Sequence, residues 1–249
     1  MFDLGYYFLV SFCILLFAIS KSGFSGGGLA LISVTVLSIS YGPITAIAIL
    51  MPMLIVCDVI AIYLNRKYYN HQEIWSMAPF SLLGVLAGTI LFKFISLSLI
   101  SIFIGLISLT YVYLNYLTKK SKNIKIPFYG SKGLWGAIAG FTSFVLHSGG
   151  LPLNIYYMSI YNRKLQFVAG VVFSIALINV FKLVPYFYLD ILNIQSLLNY
   201  LLFSPIAVIG VILGHWMNSK LSDKSFFAII NFFIVVASLR LIYLGIVDL

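Results

Sequence analysis

The stretch Lys21–Val34, KSGFSGGGLALISV, interrupts a chain that is otherwise strongly apolar. It places three consecutive glycines, Gly26 to Gly28, between two long apolar segments. Each glycine in a helix interior costs about 0.5–1 kcal/mol relative to alanine. A helix that only has to cross a membrane gains nothing from such a run. The stretch therefore predicts a break in a helix, with the basic Lys21 just before it.

The composition indicates a helical membrane protein. Of 249 residues, 62% are hydrophobic and only 8% are charged, whereas soluble proteins contain about 25% charged residues. Apolar runs of about 20 residues recur along the chain, and this is the length that crosses a hydrocarbon core of roughly 30 Å. The runs lack the alternating pattern of an outer-membrane barrel. We predict an all-α polytopic membrane protein.

Basic residues indicate which loops face the cytoplasm. The net charge of +9 would favour nucleic acid as a partner in a soluble protein. In a membrane protein, however, Lys and Arg collect in cytoplasmic loops, so no nucleic-acid partner is expected. Of the 15 basic residues, 11 lie in four segments that we assign to the cytoplasm: 65–74, 118–133, 161–166 and 218–225. Lys93 lies in a short loop assigned to the outside and counts against this assignment.

An internal repeat divides the chain into two halves of similar length. The stretch PFSLLGVLAG, which begins at Pro79, recurs as PIAVIGVILG 126 residues later. The glycine pair at 27–28 recurs 122 residues later, at 149–150. Two motifs in the same order at nearly the same offset indicate a repeat. We predict an N-terminal membrane repeat, a basic cytoplasmic linker and a C-terminal membrane repeat, at residues 1–117, 118–132 and 133–249.

The loop assignment also predicts a re-entrant hairpin in each half. Segment 133–160 lies between two cytoplasmic loops, so it enters and leaves by the same face. Its arms, 133–146 and 150–160, would be about 21 and 17 Å long, too short to cross. Segment 4–39 is expected to form the same hairpin from the outside. Each half then has a Gly-rich hairpin and three transmembrane helices, about eight membrane elements in an inverted repeat.

The two Gly-rich hairpins, SGFSGGGLAL and TSFVLHSGGLPL, and the repeated Pro-x4-Gly-x3-Gly helices resemble the sulfite exporter TauE/SafE family. The resemblance covers essentially the whole chain. It implies a transporter of a bacterial-type plasma (inner) membrane that moves small sulfur-containing anions, such as sulfite and sulfonates. The particular anion, the direction of transport, the coupling ion and the oligomeric state stay open, and an oligomer is compatible with the sequence.

The glycine-rich turns are the first candidates for the substrate site. A helix that restarts at a turn offers unpaired backbone N–H groups and the positive end of its dipole, which favour an anion. Irregular backbone at membrane depth is tolerated where it lines a wet cavity. The predicted binding residues at the two turns are Ser25, Gly26, Gly27, Gly28, His147, Ser148, Gly149 and Gly150. The alternative, that the glycines only pack helices closely and His147 is a packed hydrogen-bonding residue, stays open.

Asp58 and Lys182 are the charges that we place well inside full spans. Charges in the membrane are costly and usually face the protein interior. Asp58 aligns with Asn179, which lies 121 residues later, and Lys182 lies one turn beyond Asn179. We predict that Asn179 and Lys182 bind substrate, and that Asp58 is the partner of Lys182 or carries a coupling proton. A structural ion pair that never meets substrate is the alternative.

The predicted mechanism is alternating access, with a small anion held between the two turns and the lipid bilayer as the surrounding partner. An anion channel that uses the same turns as a filter is the alternative. An intramembrane enzyme acting through His147 and Asp58 is a third interpretation, but no nucleophile at suitable spacing supports it. No catalytic residue, cofactor or metal is predicted. Cys13 and Cys57 lie in apolar segments, and the chain has no Walker A or His-Glu-x-x-His motif.

Overall fold

The computed structural model describes residues 4–23, 28–92, 94, 96–120 and 131–247. Within these ranges the regular structure is helical, as predicted. The α-helices are α1 (Leu4–Gly23), α2 (Gly28–Tyr41), α3 (Pro43–Asn65), α4 (His71–Leu91), α5 (Leu97–Lys120), α6 (Lys132–Leu146), α7 (Gly150–Ile160), α8 (Lys164–Tyr188), α9 (Ile194–Tyr200), α10 (Ser204–Ser219) and α11 (Asp223–Val247). Short 3-10 turns follow α3 at Arg66–Tyr68 and precede α10 at Leu201–Phe203.

Several helix boundaries follow from local sequence. Gly42 separates α2 from α3 with a φ of 86°, a conformation that glycine adopts without strain. Pro43 then occupies the first turn of α3, where its missing N–H is not needed. The side chains of Asn70 and Ser131 accept backbone N–H bonds at the starts of α4 and α6. These caps fix the points at which the chain turns between membrane segments.

Six helical segments in the described ranges are long and apolar enough to cross a membrane, which makes the chain a multi-pass membrane protein. They are Leu4–Lys21, Ile44–Tyr68, His71–Leu91, Lys164–Tyr188, Ile194–Ser219 and Asp223–Val247. The helix lengths agree only in part with the predicted hairpins. With 15 and 11 residues, α6 and α7 are about 22 and 16 Å long and too short to cross. In contrast, α1 has 20 residues and is longer than the short arm that we expected.

Glycines let three pairs of helices approach closely. Where α4 meets α6, a Cβ atom on Gly84 or Gly140 would collide with the backbone of the other helix. The contact of α1 with α10 uses Gly210, and the contact of α5 with α11 uses Gly105 and Gly245. Small residues are typical of such interfaces because helices in lipid associate through close van der Waals packing. These contacts confirm that the glycines of the repeated Pro-x4-Gly-x3-Gly motif serve helix packing at Gly84 and Gly210.

The long helices α3 and α8 pack against each other, and both hairpins, α1–α2 and α6–α7, pack against this pair. The arrangement brings one end of α1, the turn between α6 and α7, and the middle of α3 and α8 together. Those four places carry the buried charges. Helix α5 continues to Lys120, and residues 121–130 of the predicted linker at 118–132 lie outside the described ranges.

Candidate functional site

The turn between α6 and α7 begins with one residue in the left-handed backbone conformation. His147 has a φ of 51° and a ψ of 24°. Its backbone N–H donates to the Ser143 carbonyl, and the Ser148 N–H donates to the Thr142 carbonyl, each at 3.2 Å. The bond from the left-handed residue His147 to the carbonyl four residues back is the αL motif that ends helices. Because α7 begins immediately afterwards at Gly150, the predicted helix break at the second glycine pair is confirmed.

Lys182 of α8 extends its ammonium group into this turn. Its Nζ atom lies 3.0 Å from the Ser143 hydroxyl, 3.2 Å from the Ser143 carbonyl oxygen and 3.2 Å from Nδ1 of His147. An ammonium group has three donors and no acceptor, so these contacts use all of its hydrogens. Lys182 is 0% exposed. In the part of the chain that the structure describes, no carboxylate lies within salt-bridge distance of it.

If Lys182 is protonated, its contact with Nδ1 determines the tautomer of the His147 ring. An ammonium group can only donate, so Nδ1 of His147 accepts and the ring proton is on Nε2. Nε2 is buried, and so is the hydroxyl of Ser148, which has no hydrogen-bond partner among the described residues. A buried polar group without a partner costs about 1–3 kcal/mol. The turn therefore leaves the Ser148 hydroxyl without a partner, whereas the His147 ring lies beside the backbone carbonyl of Ile47.

The backbone amides at the start of α7 add to this set of donors. The N–H groups of Gly149 and Gly150 donate to no acceptor within the described ranges, whereas that of Leu151 donates to the Ser148 carbonyl at 3.2 Å. The first N–H groups of a helix have no intrahelical partner, and they lie at the positive end of its dipole.

Gly149 also packs closely against α6. An added Cβ atom would lie 2.6 Å from Cβ of Ser143 and 2.7 Å from the Ala139 carbonyl oxygen. Glycine is therefore required here for packing, whatever the turn binds. The two interpretations that the sequence left open for the second glycine pair are compatible, because close packing on α6 is what brings the free amides beside Lys182.

Asp58 of α3 holds the second buried charge cluster. Its Oδ1 atom accepts a hydrogen bond from Nζ of Lys21 at 2.5 Å, and its Oδ2 atom accepts one from Nδ2 of Asn179 at 2.5 Å. The side chains of Lys21 and Asp58 are 3% and 7% exposed. The carboxylate thus joins α1, α3 and α8, and it neutralises Lys21.

The prediction that Asp58 is the partner of Lys182 is wrong. Asn179 and Lys182 are three residues apart on α8, so their side chains emerge on neighbouring parts of one face. Asn179 is the member of the two that reaches Asp58, and Lys182 extends to the α6–α7 turn instead. Lys21 already satisfies the carboxylate of Asp58.

One small cavity borders both clusters. Its walls include Lys21, Ser143, His147, Gly149, Gly150, Asn179 and Lys182, together with four apolar side chains. Its volume is about 20 Å³, which is enough for one water molecule and too small for an oxyanion of four or more heavy atoms. The cavity therefore has no room for such an anion in this structure. Within the described ranges, no group of His, Cys, Asp or Glu is placed to hold a metal ion.

The structure brings together most of the predicted residues that it describes. His147, Gly149, Gly150, Asn179 and Lys182 line the cavity, and Ser148 is buried in the adjoining turn. Gly28 is the first residue of α2. The predicted residues of the first turn that lie outside the described ranges are Ser25, Gly26 and Gly27.

The sequence prediction left open whether Lys21 reaches the cavity or the membrane surface, and it missed Ser143 as a residue of the site. A signal for both was present, because Ser143 lies 122 residues after Lys21, which is the offset between the two glycine pairs. The two residues hold corresponding positions on the first arms of the hairpins. Each donates to or accepts from a charged residue of the following long helix, Asp58 on α3 and Lys182 on α8.

The fold and the site define a polytopic membrane protein with a buried polar centre, in which Lys182 has no carboxylate within salt-bridge distance among the described residues. The family model for the sulfite exporter TauE/SafE family matches residues 11–241 of this chain. The chain therefore belongs to the sulfite exporter TauE/SafE family, whose members are membrane transporters and not enzymes. The comparison with curated proteins found no match, and neither did the comparison with solved structures.

Proposed function

We propose that this protein is a secondary transporter that carries a small anion with an SO₃-type group, such as sulfite or a sulfonate, across a bacterial-type plasma membrane. Lys182 supplies the positive charge, and the turn from His147 to Gly150 supplies N–H and O–H donors. The observation that carries the proposal is the fully buried ammonium group of Lys182, which has no carboxylate partner among the described residues. Burying such a charge is costly, and a bound anion offsets that cost.

The contacts between helices support an inverted repeat. α4 packs on α6, the first arm of the second hairpin, and α10 packs on α1, the first arm of the first hairpin. The contacts of α3 with α8 and of α5 with α11 also join the two halves. A pseudo-two-fold axis that relates α1–α5 to α6–α11 would exchange the α4–α6 contact with the α10–α1 contact. The same axis would map the α3–α8 contact and the α5–α11 contact onto themselves. Such an axis in the membrane plane is typical of secondary transporters.

The ends of each hairpin lie together, as a re-entrant segment requires. Tyr6 at the start of α1 and Tyr41 at the end of α2 make an edge-to-face contact, with ring centroids 5.2 Å apart. In the second hairpin, Lys132 at the start of α6 and Tyr156 on α7 both contact the carboxylate of Glu73 on α4. These contacts favour hairpins that enter and leave by one face, even though α1 is long enough to cross.

Contacts at these ends of the two hairpins are our candidates for the two gates of alternating access. At the predicted outer face, Tyr6 of the first hairpin forms a side-chain hydrogen bond with Tyr200, which precedes α10. At the predicted inner face, Glu73 binds Tyr156 and Lys132. Each set joins the hairpin of one half to a helix of the other half. Opening the site to one side therefore requires that the contacts on that side break.

Removal of the Glu73 carboxylate should favour the inward-open state. Glu73→Gln loses charge-assisted hydrogen bonds worth about 1.5–3 kcal/mol, so we expect labelling from the cytoplasmic side to become about tenfold faster or more. The reporter is a cysteine at Ile175, which lines the cavity, in a protein without Cys13 and Cys57. Tyr200→Phe is the matched control, because it should accelerate labelling from the outside instead. Equal labelling of Glu73→Gln and the parent would contradict the inner gate.

Counterflow in proteoliposomes tests the transport function and separates a carrier from a channel. We expect internal unlabelled sulfite or methanesulfonate to drive transient accumulation of labelled external anion, because a carrier exchanges substrates through one site. A channel, the alternative function, only lets the label equilibrate, and absence of flux for every anion would contradict both.

Uptake driven by a pH gradient would support the proposal that Asp58 or His147 carries a coupling proton, and no response would contradict it.

A further inference from the structure

We infer that the site selects anions that carry a single negative charge, and that the ion pair of Asp58 with Lys21 sets this valence. The inference rests on the proposed function and deepens it, because it specifies the charge of the substrate. It follows from an inventory of the ionisable groups at the cavity.

Four elements place ammonium, carboxylate or imidazole groups at the cavity or against its walls. They are Lys21 on α1, Asp58 on α3, His147 at the α6–α7 turn and Lys182 on α8. Lys21 and Asp58 cancel each other, wherever the proton in their hydrogen bond lies. His147 is neutral, because Nδ1 accepts from Lys182. Among the described residues, the cavity therefore has a net charge of +1, which comes from Lys182.

This charge matches one negative charge and not two. Once the cavity has opened, a monoanion would be neutralised by Lys182, and its oxygens would accept from the free donors of the turn. A dianion with the same shape would leave one uncompensated negative charge in a buried site, which is costly. Sulfonates and hydrogensulfite are monoanions, whereas sulfate is a dianion of similar tetrahedral shape. The site should therefore discriminate between them by charge.

Asp58 controls this discrimination because its partner lines the cavity. Lys21 is a wall residue, and both Lys21 and Asp58 act electrostatically on Lys182. Without the carboxylate, Lys21 becomes a second unneutralised cation beside the bound anion, and the site carries a charge of +2. Without Lys21, the carboxylate cancels Lys182, and the site has no net charge. We expect the valence of the preferred anion to match the net charge of the site in each variant.

Four proteins test the inference: the wild type, Asp58→Asn, Lys21→Gln and the double variant. Methanesulfonate and sulfate are suitable probes, since both keep a fixed charge near neutral pH. Their affinities are measured on the full-length purified protein by thermal stabilisation. We expect the wild type and the double variant to prefer methanesulfonate by about tenfold or more, and Asp58→Asn to shift this ratio by at least tenfold towards sulfate. Lys21→Gln should bind both anions weakly.

The wild-type result alone can overturn the inference, so the test survives if a single variant fails to fold. Equal affinity of the wild type for sulfate and methanesulfonate would overturn it, and so would loss of the preference in a folded double variant. Lys224→Gln is the matched control, because it removes an exposed lysine and should leave the ratio unchanged. If both anions bind equally and Lys182→Ala weakens both, the valence rule fails but the proposed function stands. If no anion binds or moves, the proposed function itself fails.

Discussion

Replacement of Lys182 by alanine should lower transport by about 100-fold while the protein still inserts and purifies. The side chain is fully buried and its ammonium group bonds to Ser143 and His147. Truncating one partner of a buried, hydrogen-bonded charge pair costs about 2–5 kcal/mol, and in this case the other partner is the substrate. The measurement is initial flux of sulfite or methanesulfonate in proteoliposomes, together with thermal stabilisation by the same anion.

Lys182→Arg is the control that separates charge from packing. It keeps the positive charge but replaces a compact ammonium group by a planar guanidinium, so we expect partial flux and retained anion-dependent stabilisation. Without the ammonium group, Ser143 and His147 lose a donor but bury no additional charge, so Lys182→Ala should remain folded. If the alanine and arginine variants reduce transport equally, Lys182 has a structural role and does not attract the anion.

The sequence predicts the helices and the second hairpin because those features are local. Runs of apolar residues give the spans, and the pair Gly149–Gly150 gives the break between α6 and α7. The offset that relates this pair to Gly27–Gly28 also relates Lys21 to Ser143. An aligned repeat therefore contains information about which side chains share a site, beyond the number of helices.

The choice of partners inside the protein could not be predicted in the same way. Asp58, Asn179 and Lys182 all project from α3 or α8 into the interior, and composition requires only that each charge finds a satisfying environment. Which lysine meets the carboxylate depends on the rotation and axial position of α1 relative to α3. Those quantities are set by close helix packing, such as that of Gly210 against α1, and no local pattern specifies them.

The resulting arrangement assigns different roles to the two buried lysines. Lys21 is neutralised by Asp58, whereas Lys182 meets only dipoles among the described residues. The pair Lys21–Asp58 links the first hairpin to α3, and the contact of Ser143 with Lys182 links the second hairpin to α8 in the corresponding position. In the proposed repeat, the first half thus contains a closed ion pair, and the second half contains a buried lysine without a carboxylate partner among the described residues.

The ion pair should also show the largest effect on stability. Asp58→Leu leaves Lys21 buried without a counter-charge, and Lys21→Met leaves Asp58 in the same position. Breaking a buried pair by removing one partner costs about 3–5 kcal/mol, whereas apolar replacement of both partners is often neutral. We therefore expect each single variant to lose much of its folded fraction at moderate temperature in detergent, and the double variant to recover most of it.

The measurement is the monodisperse fraction that remains after heating, compared across the wild type, the two single variants and the double variant. Asn179 loses its acceptor in Asp58→Leu and in the double variant, so recovery should fall short of the wild type by about 1–3 kcal/mol, the cost of an unpaired buried polar group. Additive losses in the double variant would mean that Lys21 and Asp58 stabilise the fold independently. In that case Asp58 would not neutralise Lys21, and the net charge of +1 assigned to the cavity would no longer hold.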